Sequence, residues 1–221
     1  YVEFLNYKEI DKSSPLLMSL NGLAANHIEL DTSGINPFIF RTASQYANDP
    51  VSYVSFWNAC RFVNWLGNGQ GDGDTETGAY TLSGYNGDDG QTIARNPGAA
   101  LFLPTIDEWY KAAYYTGTGY LQSDSASAYG TVGQYGNGWE WTDSVGTASS
   151  VTGRILGGGI IGQSVPVDFK GSSLGDPSKS SGPTFPVPVE NSGFGFRVAA
   201  IPEPATMLLL SLGGLLLRKK K

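Results

Sequence analysis

The sequence predicts a loop-rich globular domain with an aromatic core, short strands and two main helices. Three observations carry that reading. Glycine supplies 30 of 221 residues, about twice its ordinary share, and charged residues are only 15%. Aromatics reach 12%, which excludes a disordered chain, because disorder pairs few aromatics with many charges. Glycine and serine at this density would also break a coiled coil or helical bundle.

The elements follow in order. Residues 2–7 read as the end of a helix, and Phe38–Arg41 as a short strand. Ser55 caps a helix over 56–66, with Phe56, Ala59, Cys60, Val63 and Leu66 on one face. Ala79–Leu82 and Ala100–Leu103 read as strands. Thr105 and Glu108 then form a capping box that opens a helix over about 105–115. Its apolar face is Ile106, Trp109, Tyr110 and Ala113. Residues 151–159 suggest a strand ending in a Gly turn. Phe194, Phe196, Val198 and Ala200 alternate as a closing strand.

Charge and composition exclude several functions. The last four residues, Arg218–Lys221, are all basic; without them ten bases face 20 acids, a net of −10 for residues 1–217. A body that acidic repels phosphate backbones, and no basic stripe tracks one, so nucleic acid is not an expected partner. The single cysteine, Cys60, permits no intrachain disulfide, and with the single histidine, His27, it cannot build a Cys/His zinc site. Cys60 lies on the apolar stripe and reads as a small core residue, and His27 as an ordinary surface or half-buried side chain. Asp72, Asp74 and Glu76 resemble the first half of an EF-hand loop. The match then fails, because Thr77 stands where Gly is needed and Ser83 where a bidentate Glu is needed.

The tail is of another kind. Residues 205–217 run 13 positions without a charge, about 20 Å as a helix against a hydrocarbon core of about 30 Å. Pro202-Glu203-Pro204 precedes the stretch and the basic cluster follows it. These three parts in order resemble the PEP-CTERM sorting signal of Gram-negative bacteria. The resemblance implies an exosortase-type membrane protease as partner and a transient membrane contact at 205–217. It also implies export to the cell envelope, the outer surface or the medium. The chain starts at Tyr1 without a secretion leader and is therefore expected to be a mature form or a fragment.

Five further segments form a second resemblance. They are Pro50–Ala59, Leu103–Trp109, Gly136–Trp141, Arg154–Gly159 and Gly195–Ala199. Together they resemble the formylglycine-generating enzyme, or sulfatase-modifying factor, family, most specifically through Pro104-Thr105-Ile106-Asp107-Glu108-Trp109 and Gly136-Asn137-Gly138-Trp139-Glu140-Trp141. The implied fold is α+β, a variant of the C-type lectin-like fold with two main helices and short twisted strands. The implied organisation is a domain over 1–200, expected to lack its first strand, and a sorting or anchor segment over 201–221.

The same resemblance supplies functional expectations. The family's oxidases hold copper with two cysteines between the Arg-Gly-Gly region and the final strand. Here residues 160–194 contain none, so copper is not expected and no catalytic residue is assigned. Structural calcium is implied at a Trp-Glu-Trp turn, held by Gly136, Gly138 and Glu140, although Gly133 stands where a further ligand is usual. Trp139, Trp141 and Arg154 are the candidates for a face that binds an unknown surface ligand. The functional expectation is an exported envelope protein whose catalytically incomplete domain binds or builds. The alternatives are a formylglycine-generating oxidase acting on sulfatase cysteines and a degenerate family fragment.

Overall fold

The structure is a computed structural model. It describes residues 1–8, 20–31, 39–82, 92–116, 118, 126–134, 138–148, 151–159, 184–185 and 194–201. Gly136, the apolar stretch 205–217 and Pro202-Glu203-Pro204 lie outside the described residues, as does most of 160–194.

Helix α1 (Val2–Lys8) and the short α2 (Leu20–Ala25) lead into the antiparallel pair β1 (Ile28–Asp31) and β2 (Ile39–Thr42). Helix α3 (Phe56–Gly67) starts where the Ser55 hydroxyl accepts from the Asn58 amide. Helix α4 (Ile106–Tyr114) starts at the complete Thr105–Glu108 capping box, so both main helices begin where their local cap chemistry dictates. Between them lies β3 (Leu101–Phe102), which pairs antiparallel with the last strand, β8 (Ala199–Ala200). The largest sheet has the order β6-β5-β4-β7, built from β4 (Gly138–Ala148), β5 (Val151–Gly159), β6 (Thr184–Phe185) and β7 (Phe194–Phe196). Helices and mostly antiparallel strands together make a mixed, α+β arrangement.

The core is aromatic, as composition implies. Phe4, Phe56, Trp109 and Trp141 are fully buried. Phe62 bridges Phe4 at 5.5 Å and Phe196 at 5.2 Å between ring centres, joining α1, α3 and β7. Gly157 on β5 is required where it stands: a Cβ there would come within 2.6 Å of the Trp109 ring.

Several expected elements change. Ala79–Leu82 is not a strand; it makes one isolated bridge, Tyr80 to Arg95. The reason is Asn64. Its carboxamide accepts from the Tyr80 amide and donates to the Tyr80 carbonyl, each at 2.9 Å, so a side chain replaces the ladder. Asn6 clamps Phe40 the same way, and Asn26 clamps Ser52. The strand at Ala100–Leu103 shrinks to two residues because the Leu103 amide donates to the Tyr80 hydroxyl. The closing strand splits into β7 and β8, which belong to different sheets, and its alternation is lost: Val198 is only half-buried and Ala200 is exposed. The segment Gly138–Trp141, expected as a turn, is the start of the 11-residue strand β4.

Candidate functional site

Strand β4 carries Gly138, Trp139, Glu140 and Trp141, and β5 carries Arg154; all are buried except the half-buried Glu140. Glu140 lies in the parallel ladder with β7, opposite Gly195. Its carboxylate accepts from Arg197 in a two-pronged contact, Nε to Oε2 and Nη2 to Oε1, each at 2.5 Å. The Trp109 indole donates to the same Oε2 at 2.6 Å. One carboxylate therefore ties α4, β4 and the residue after β7 together with charge-assisted bonds.

Calcium was expected on this carboxylate. Both oxygens are instead occupied by donors, and one donor is a guanidinium, so a divalent cation on them would sit against Arg197. Gly138 is a ladder residue opposite Gly159, and Gly136 lies outside the described residues. The described donors do not fit a calcium ligand set. Among the described residues, no three His, Cys, Asp or Glu side chains gather as a metal site requires. The EF-hand-like acids are staples of their own loop. Asp74 accepts from the Glu76 and Thr77 amides and the Thr77 hydroxyl, which holds its carboxyl below the usual range. Glu76 pairs with Arg61 at 2.7 Å.

The expected binding face is not a face. Trp141 is fully buried, donates to the Val54 carbonyl at 2.7 Å and meets Phe194 edge-on at 5.3 Å. Trp139 is buried as well, because alternate residues of β4 point into the core. Arg154 is 2% exposed. Its guanidinium lies 4.1 Å from the Phe56 ring centre and donates to the carbonyls of Asp143, at 2.9 Å, and Ile93. These are structural roles that leave the three side chains no reach toward a surface ligand.

A second acid lies three residues along β4. The ladder to β5 breaks between Trp141 and Val145. In that break the Asp143 amide donates to the Pro104 carbonyl, and the Ser144 hydroxyl accepts from the Ile106 amide. The bulge thus docks the strand on the start of α4. It also turns the Asp143 carboxylate toward Arg95, at 3.4 Å, and Arg154, at 3.5 Å. Burial pushes this carboxyl up to about 6 in spite of the two arginines. Cys60 lies nearby on α3, fully buried, and burial raises its thiol well above the ordinary value.

An open cavity of about 510 Å³ is lined by His27, Tyr46, Asp49, Phe62, Phe196 and Arg197 among others. His27 stacks on Tyr46 at 3.7 Å with a positive φ of 53°. Sequence reasoning did not find this cavity, because its wall joins residues from five separate segments.

The PEP-CTERM protein-sorting motif matches residues 200–221. The chain is therefore an exported protein bound for the cell envelope and sorted by an exosortase. No curated protein matches the chain. Among solved structures, the crystal structure of CarF is similar at 19% identity with a TM-score of 0.41. That likeness covers 69% of this chain and 68% of the other, and it is too distant to define the fold.

Proposed function

We propose that residues 1–200 are a formylglycine-generating-enzyme-like body without the oxidase chemistry, serving as a structural or binding module in the cell envelope. The observation that carries this reading is where the polar motif residues go. Glu140, Arg154 and Arg197 are all bound to the protein's own groups, so they hold the scaffold. The sequence adds that Cys60, the one thiol, sits in the core of α3 and that 160–194 contain none. A binding role then falls to the loops and to the open cavity beside His27, since a fixed core with variable loops is how such scaffolds recognise ligands.

The test is an oxidation assay on the intact chain with Cu(I), oxygen and a Cys-x-Pro-x-Arg peptide. No aldehyde above a copper-only blank is the expected result, and turnover above it sinks the reading. Fractionation of cells exporting the chain checks the other half: the body should be in the envelope or medium, and a cytoplasmic body with an intact tail contradicts it.

A further inference from the structure

The folded body and the sorting motif leave almost no chain between them. Strand β8 ends at Ala200, and the Ile201 amide is still tied to the Ala100 carbonyl at 3.0 Å. The apolar stretch begins at Ala205. Four steps of fully extended chain, from Ile201 to Ala205, span at most about 14 Å. The headgroup layer on one side of a bilayer takes roughly 5–8 Å of that. With the apolar stretch in the bilayer, Ile201 lies within about 10 Å of the headgroup surface, whatever conformation Pro202-Glu203-Pro204 adopts.

The surface around this exit suits that position. No charged residue occurs from Asn96 to Leu101 or from Val198 to Ile201. Pro97, Gly98, Ala100, Ala200 and Ile201 are exposed there, and Ile201 is 55% exposed. The flanking arginines, Arg95 and Arg197, already hold the carboxylates of Glu108 and Glu140. In a body with a net charge of −10 over residues 1–217, an uncharged corner at the root of the tail avoids the repulsion that anionic lipid would exert elsewhere.

From these placements we infer that the β3–β8 corner is a membrane-facing surface. While the tail is inserted, the body rests on lipid headgroups through Pro97, Gly98, Ala100, Ala200 and Ile201, held there by the short leash. The inference rests on the sorting motif and does not depend on the oxidase reading.

The test uses the intact chain inserted in vesicles of phosphatidylethanolamine and phosphatidylglycerol containing a headgroup-nitroxide lipid as quencher. Ala100→Cys is labelled with a fluorophore; native Cys60, fully buried, does not compete. The expected result is loss of most of the emission when the nitroxide lipid is present. A second chain carries about 15 Gly-Ser residues between Ile201 and Pro202, a reach of roughly 20 Å on average, and should recover most of that emission. Unquenched emission from a chain that floats with the vesicles overturns the inference. Quenching that survives the longer leash overturns the tethering. Pro97→Cys gives the same readout if Ala100→Cys fails to fold.

Discussion

Glu140 and Asp143 stand three residues apart on β4, both largely shielded, both facing arginines, and they do opposite things. Glu140 lies in a regular ladder and receives three bonds of 2.5–2.6 Å from Arg197 and Trp109. Asp143 lies in the bulge and meets Arg95 and Arg154 only at 3.4–3.5 Å. The first carboxylate takes close, directed donors on both oxygens. The second takes none so short, because Arg154 spends its short bonds on backbone carbonyls, and burial lifts the Asp143 carboxyl to about 6 in spite of the arginines. Proximity to a positive charge is thus not enough to settle a buried acid; bond geometry decides.

The harshest way to break the comparison is to remove what lies between the two acids. Trp141→Ala deletes a fully buried indole and its bond to Val54, and should cost on the order of 3–5 kcal/mol. That is a large part of a typical stability of about 5–15 kcal/mol. A urea titration measures it, and a loss near zero would mean that the strand does not carry the core.

Glu140→Gln keeps the shape and removes the charge. Arg197 then loses a charge-assisted pair, and a cost of roughly 1.5–3 kcal/mol is expected. Melting curves with and without EGTA sharpen the point. Neither wild type nor variant should respond to chelator, since both carboxylate oxygens already take donors from Arg197 and Trp109. A chelator-dependent drop in wild type alone would restore the calcium reading.

Asp143→Asn should cost less, under about 1 kcal/mol near neutral pH, because a poorly compensated buried charge is exchanged for a neutral acceptor. Its signature is in the pH dependence. The folded carboxyl is raised from 3.8 to about 6, so between these values the native state binds the extra proton. Stability from this group is therefore full below the unfolded value and is lost as pH rises through about 6. Asp74 and Glu108, whose carboxyls are lowered, push the other way. The useful quantity is thus the difference between wild type and variant. Wild type should gain on Asp143→Asn as pH falls from about 6 to about 4; a difference that stays flat removes the contrast between the acids.

The smallest effect concerns Cys60, which shares the neighbourhood of Arg154 and Asp143. Its buried thiol should resist alkylation in buffer and react fully in denaturant. Prompt labelling of the native protein would show that the region around Asp143 opens.

Local chemistry was readable in the sequence and distant chemistry was not. The caps at Ser55 and Thr105 act within three residues, and both helices begin where these caps place them. The strand over 151–159 likewise matches its expected bounds. Tyr80 misled because the groups that satisfy its backbone belong to Asn64, 16 residues away. Trp141 and Arg154 misled for the same reason. Their partners Val54 and Ile93 are 87 and 61 residues distant, and no periodicity announces a buried arginine. Gly138–Trp141, expected in a turn, is strand instead, because its glycine serves close packing: a Cβ on Gly158 would collide with the Gly138 carbonyl oxygen. Three asparagines that clamp remote backbone amides are the feature a sequence reader would learn to weigh.

The position of β7 and β8 also sets a timetable. The last strands close the core: the Val54 amide waits for the Phe194 carbonyl, and Leu101 and Phe102 wait for Ala200 and Ala199. In vectorial synthesis the amino-terminal parts emerge first, so α3 and α4 exist well before the strands that complete them. The body can close its core only once residues 194–200 have been made.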